Sequence, residues 1–126
     1  MAPRVLIIED HADSRELMHF LLSRSGYDVI CAADGVEGLE AARRTQPDLI
    51  ISDIQIPRLN GFQVAAAIAA DPNLRHIPLI AVTASAMAGD RETIVRSGFH
   101  DYVSKPIEPE TFVVQIARFL NPGTGL

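Results

Sequence analysis

Apolar residues in this chain gather into five short runs: VLII (5–8), YDVICA (27–32), LIIS (49–52), IPLIAVT (77–83) and DYVS (101–104). The first, third and fourth are continuous rather than alternating, the pattern of strands buried on both faces of a parallel sheet. Between the runs, apolar positions recur at helical spacing. Asp13 and Glu16 have the spacing of a capping box ahead of Leu17, Phe20 and Leu21, and Gly26 ends that segment. Asp34 and Glu37 repeat the device before Leu39 and Ala42, with Pro47 closing the helix. Residues 62–70, FQVAAAIAA, predict an apolar helix, and a shorter one is expected from Asp90 to Ser97, ending at Gly98. Pro109 opens a last helix with an apolar face of Phe112, Val113, Ile116 and Phe119. Strict alternation of strand and helix predicts a doubly wound α/β domain around a parallel sheet with right-handed crossovers.

A length of 126 residues suits one domain with a real core. A formal net charge of −5 argues against nucleic acid and against an anionic membrane as direct partners. The single cysteine, Cys31, rules out an internal disulfide and a cysteine-rich zinc site, and its apolar surroundings mark it as a small core residue. The opening run VLII is too short for a signal peptide, and no apolar stretch reaches spanning length, so a cytoplasmic location is expected.

The residues that finish the strands carry the chemistry, because open α/β sheets bind ligands outside the carboxyl ends of their strands. The first strand ends in Glu9-Asp10, the third in Asp53, the fourth in Thr83, and the fifth runs into Ser104-Lys105-Pro106. With the first and third strands adjacent, three carboxylates share one rim. Crowded acids repel and stay partly protonated unless a cation joins them. An all-oxygen donor set selects a hard ion such as Mg²⁺. A lysine and a hydroxyl nearby complete a pocket for a tetrahedral dianion, in which an aspartate can serve as nucleophile. Singly, each residue has a plainer reading. Asp10 or Asp13 could cap a helix, Asp53 a loop, Thr83 could be an ordinary strand residue, and Lys105 a solvated one.

Four motifs, IIED (7–10), DIQIPRLNG (53–61), V-T-A (82–84) and Y-V-S-K-P (102–106), stand in this order at intervals of 43, 30 and 22 residues between Asp10, Asp53, Thr83 and Lys105. In this the chain resembles the receiver domain of two-component response regulators over residues 4–120. The resemblance implies a flavodoxin-like (βα)5 fold with strand order 2-1-3-4-5, a receiver domain over residues 1–121, and a flexible tail or linker start at 122–126. It implies that Asp53 accepts a phosphoryl group from a sensor histidine kinase or a histidine phosphotransfer protein. Mg²⁺ would be held by Asp10, Asp53 and the backbone carbonyl of Gln55, with Glu9 acting directly or through water. Lys105 would pair with Asp53 and then with the phosphoryl oxygens. Thr83 and Tyr102 would be switch residues, and the Lys105-Pro106 bond would be cis. A downstream protein target is implied, and docking or homodimerisation would use the face of the fourth helix, fifth strand and fifth helix. Such a domain is no enzyme beyond catalysing its own phosphorylation and slow dephosphorylation.

Some positions depart from the family pattern. Glu9 stands where many receivers carry a second Asp, Gln55 occupies a position linked to dephosphorylation, and Ile56 replaces a more usual Met, a volume-conserving change. His11, next to the acids, is either a partner or pH contact or an exposed loop residue without a role. Three other readings compete. An aspartyl phosphohydrolase would carry its nucleophile on the first strand with a second Asp two residues on, unlike Asp53 and Gln55. A non-phosphorylated pseudo-receiver, acting as a protein-interaction module, is the alternative that leaves the acids unexplained. Binding of flavin mononucleotide would want a Ser/Thr/Gly-rich loop where this chain has EDHADSRE.

Overall fold

A computed structural model describes residues 2–84 and 88–120; the expected tail at 122–126 lies outside the described residues. The chain alternates β1 (Arg4–Ile8), α1 (Ala12–Arg24), β2 (Asp28–Ala32), α2 (Gly35–Thr45), β3 (Leu49–Asp53), α3 (Gly61–Ala70), β4 (Leu79–Thr83), α4 (Ala88–Arg96), β5 (Asp101–Ser104) and α5 (Pro109–Leu120). The strands form one parallel sheet in the order β2-β1-β3-β4-β5. This is the doubly wound architecture the apolar runs predict.

Strand periodicity divides the core in two. Leu6, Ile8, Ile50, Leu79 and Ala81 point to one face, where they meet Leu39 and Ala42 of α2, Val64, Ala65 and Ile68 of α3, and Ile94 of α4. Val5, Ile7, Leu49, Ile51, Ile80 and Val82 point to the other face, against Met18 and Leu22 of α1 and Phe112 and Ile116 of α5. β3 and β4 are buried at every position, whereas the edge strands β2 and β5 are only partly covered. Burial of each large aliphatic side chain contributes about 2 kcal/mol, so the central strands are the rigid part of the molecule. No helix among the described residues is long and apolar enough to cross a membrane.

The helix starts differ from the sequence expectation most clearly at α1. The spacing of Asp13 and Glu16 does not make a capping box, because α1 already begins at Ala12, with His11 as an N-cap residue that makes no side-chain bond. The chain entering α1 contacts the strand end, where the His11 N–H donates to Glu9 Oε2 at 3.3 Å. Asp34 does cap α2, accepting from the Glu37 N–H at 2.8 Å. The full capping box belongs to α3, where the Gln63 N–H donates to Asn60 Oδ1 and the Asn60 N–H donates to Gln63 Oε1, both at 2.9 Å. The helices expected at 62–70 and 90–97 run from Gly61 and from Ala88.

Removing the α3 cap tests its weight. Asn60→Ala should lower the unfolding free energy by about 1 kcal/mol in urea titrations, whereas Asn60→Asp keeps the side-chain acceptor and most of the stability.

Candidate functional site

The register aligns the chemistry. Ile8 pairs with Ser52, Asp53 with Val82, and Thr83 with Ser104, so the residues just past these pairs share one rim of the sheet. The ladder continues beyond the strands: the Glu9 N–H donates to the Ala32 carbonyl at 3.0 Å, and the Lys105 N–H donates to the Thr83 carbonyl at 2.8 Å. Backbone pairing thus fixes Glu9 and Lys105 on either side of Asp53.

Lys105 Nζ bridges the acids, 2.7 Å from Asp53 Oδ2 and 2.8 Å from Glu9 Oε1. The first contact is a hydrogen bond; the second is an ion pair only, since Glu9 Oε1 is fully buried and accepts no hydrogen bond of good geometry. Asp53 Oδ1 accepts from the Gln55 N–H at 3.0 Å, so each oxygen of this carboxylate has its own donor. Glu9 is completely shielded, Asp53 and Thr83 are buried, and Asp10 is exposed. Carboxylate oxygens of Glu9, Asp10 and Asp53 lie within 4.8 Å of one another.

Three carboxylates against one ammonium leave excess negative charge in a poorly solvated place. Burial, followed by the Asp53 carboxyl beside it, pushes Glu9 up to about 7 from 4.5, even though Lys105 pulls the other way. Burial disfavours the Lys105 ammonium, but Asp53 and Glu9 outweigh it and raise the group above its ordinary range. The cluster therefore lacks positive charge. Its donors are all oxygens, and the buried Glu9 Oε1 is an acceptor without a hydrogen bond, so the residues fit a hard divalent cation such as Mg²⁺.

The other residues singled out in the sequence take separate places. Thr83 ends β4 beside the cluster. Tyr102 lies on β5 outside the acids, half-buried against the core of the α2–α3–α4 face, with the Arg91 guanidinium 5.4 Å from its ring centroid. Gln55 is exposed, and the Lys105-Pro106 peptide bond is cis. His11 is exposed. Arg15 escaped the sequence reading: its Nη1 donates to the carbonyls of Glu9 at 2.9 Å and of Asp10 at 3.4 Å, tying α1 to the acid loop. One signal was available, because a cation near a helix N-terminus opposes the helix dipole and so calls for another reason to be there.

Gly61 explains why the loop after Asp53 closes so tightly. A Cβ at this position would stand 2.6 Å from the Asp53 carbonyl oxygen and 2.7 Å from Ile54 Cα. The Gly61 N–H donates to the Ile54 carbonyl at 2.8 Å, closing the loop against the strand end.

A parallel five-stranded sheet in this order, with buried acids and a lysine at one rim, is the frame of a receiver domain. The sequence model of the response regulator receiver domain matches residues 5–117, and the chain belongs to that family. It is 43% identical over 120 residues to the polar-differentiation response regulator DivK of Brucella anthropi, covering 95% of this chain and 98% of that protein. DivK of Brucella melitensis is equally similar, at 43% over the same length. Among solved structures, the chemotaxis response regulator CheY4 of Vibrio cholerae superposes with a TM-score of 0.90 at 28% identity, covering 94% of this chain and 99% of that one. The receiver domain of the sensor histidine kinase PA1611 from Pseudomonas aeruginosa, with magnesium coordinated in its active-site cleft, superposes at 0.87 with 32% identity, covering 95% and 98%.

The raised Glu9 carboxyl has a direct consequence for stability. The folded protein holds this proton more tightly than the unfolded chain, so the stabilisation is complete below about pH 4.5 and is lost as pH rises to about 7. With a chelator present, Glu9→Gln should change the melting temperature little at pH 5 and raise it relative to the unaltered protein at pH 8. A difference that is equal at both pH values would remove Glu9 as the titrating group.

Proposed function

We propose that Asp53 accepts a phosphoryl group from a sensor histidine kinase or a histidine phosphotransfer protein, and that the modified domain then binds a different partner. The observation that carries this reading is the Asp53 carboxylate itself. It is buried at the sheet rim with Lys105 Nζ 2.7 Å from one oxygen and two more acids beside it. An Asp53 oxygen forms the new O–P bond as the N–P bond to the donor imidazole breaks, and the imidazole nitrogen takes up a proton. Asp10, Asp53 and the Gln55 backbone carbonyl hold Mg²⁺, with Glu9 directly or through water. When bound, Mg²⁺ supplies the positive charge that the acids lack and screens the incoming phosphoryl oxygens.

The chain's own residues do the rest. The Gln55 N–H and Lys105 orient the carboxylate, and Lys105 passes to a phosphoryl oxygen once the bond has formed. The Thr83 hydroxyl donates to another. Contacts that exist only with the phosphoryl group bias the domain toward one of two arrangements, with Tyr102 following Thr83 inward. The output surface is the face of α4, β5 and α5, where Val95 and Val114 are exposed large apolar residues. A cytoplasmic location follows from the same reading.

Intact mass after incubation with acetyl phosphate and Mg²⁺ tests the acceptor. One phosphoryl adduct should form, and it should vanish in Asp53→Ala and with a chelator. An unmodified protein that still binds beryllofluoride poorly would favour a pseudo-receiver acting only by protein contact. Size-exclusion chromatography with and without beryllofluoride tests homodimerisation through the α4–β5–α5 face; an unchanged elution volume rules that version out.

A further inference from the structure

We infer that Asp34, Gly35 and Arg58 form a latch between the start of α2 and the β3–α3 connection, and that this latch positions the Asp53 carboxylate for its metal ion. The inference rests on the phosphoacceptor reading only for the purpose of the latch, since its contacts and its test concern Mg²⁺ binding.

Three contacts join two segments distant in sequence. The Gly35 N–H donates to the Pro57 carbonyl at 3.2 Å. Arg58 Nη1 donates to Asp34 Oδ2 at 3.2 Å. Gly35 is buried so closely beneath the loop that a Cβ there would fall 2.1 Å from the Leu59 carbonyl oxygen. Asp34 divides its carboxylate between two tasks, because Oδ1 caps α2 through the Glu37 N–H while Oδ2 takes Arg58. The Glu37 N–H, against the effect of burial, and then the Arg58 guanidinium hold this carboxyl below its ordinary range.

An ion pair with an exposed arginine stabilises little by itself. Its placement gives it another use. Arg58 has φ of 72°, a left-handed conformation that a non-glycine residue adopts only when its surroundings require it. Glycine would suit that backbone better, so an arginine there points to a use for its side chain. The segment it anchors begins at Gln55, whose N–H holds Asp53 Oδ1. Gly61 pins the other end through its N–H to the Ile54 carbonyl. The latch thus fixes the middle of a short loop that orients the acceptor carboxylate and offers the Gln55 carbonyl. Asp34, Gly35 and Arg58 are positioning residues, since none of them joins the acid cluster.

Calorimetric titration of the protein with magnesium chloride tests this, using Asp34→Asn, Arg58→Ala, Arg58→Gly and the double variant Asp34→Asn/Arg58→Ala. Asparagine keeps the helix cap and removes the charge. Each single variant should weaken Mg²⁺ binding about tenfold, the scale of a lost supporting contact around a metal site. The double variant should be no weaker than the singles, because both remove one interaction. Arg58→Gly separates positioning from stability: relief at φ 72° should keep or raise the melting temperature while Mg²⁺ binding still weakens. Affinities within twofold of the unaltered protein, or losses that add in the double variant, overturn the latch. Labelling with acetyl phosphate forms a separate arm, in which the half-saturating Mg²⁺ concentration should rise about tenfold and the extent at saturation stay unchanged. A missing adduct in the unaltered protein sinks the phosphoacceptor reading, while the calorimetry still decides the latch.

Discussion

Everything at the site depends on one ammonium held between two buried carboxylates. Unit charges 4 Å apart at an effective dielectric near 20 interact by about 4 kcal/mol, so Glu9 and Asp53 could not both stay ionised side by side without compensation. Lys105 supplies one positive charge to the pair, and Asp10 adds a third acid within reach. The raised Glu9 carboxyl records what remains unpaid. Such a cluster is poor as a stabilising device, because buried ion pairs seldom recover their desolvation. It makes sense as a site prepared for positive charge.

Holding that cluster together requires a rigid platform, and the central strands provide it. Ile50, Ile51, Ile80 and Val82 are fully buried on β3 and β4, so the strand ends cannot drift apart without opening the core. Backbone bonds at Glu9 and Lys105 extend the ladder to the charged residues themselves. Arg15 then ties the acid loop to α1, and the contacts of Gly61 tie the acceptor loop to α3. Each charged group is therefore carried by a segment that has its own anchor.

What the sequence revealed follows the range of the interactions involved. Continuous apolar runs at 5–8, 49–52 and 77–83 reveal central strands because burial on both faces leaves little room for polar residues. The acids at their ends were legible for the same reason, since a carboxylate that ends such a run must sit at a rim. Local spacing misled at Asp13 and Glu16, because α1 starts at Ala12, one residue before Asp13, with His11 as its uncapped N-cap residue. The box at Asn60 and Gln63 has the right spacing, but Asn60-Gly61 also reads as a turn. Contacts such as Asp34 with Arg58, 24 residues apart, depend on which strand neighbours which and carry no local mark. That crowded acids would hold a proton was legible at the strand ends; that Glu9 is the acid concerned depends on its burial beside Asp53, which residue types alone do not supply.

The same rigidity explains where a switch can lie. β3 and β4 are buried along their length and cannot be the moving part. At the other side of β4, α4 is held more lightly: among residues 90–96, Ile94 alone is buried, while Val95 stays exposed. Elements with few buried apolar contacts lie at the low-stability end of a fold, and a modest change in charge can shift their balance. Tyr102, half-buried on β5 beneath Arg91, joins that light element to the strand that leads into Lys105. A phosphoryl group on Asp53, as proposed, would draw on Lys105 and Thr83, whose strands flank this corner. The charge imbalance sits on the firmest strands, and the proposed response falls to α4, where Ile94 is the one buried residue among 90–96.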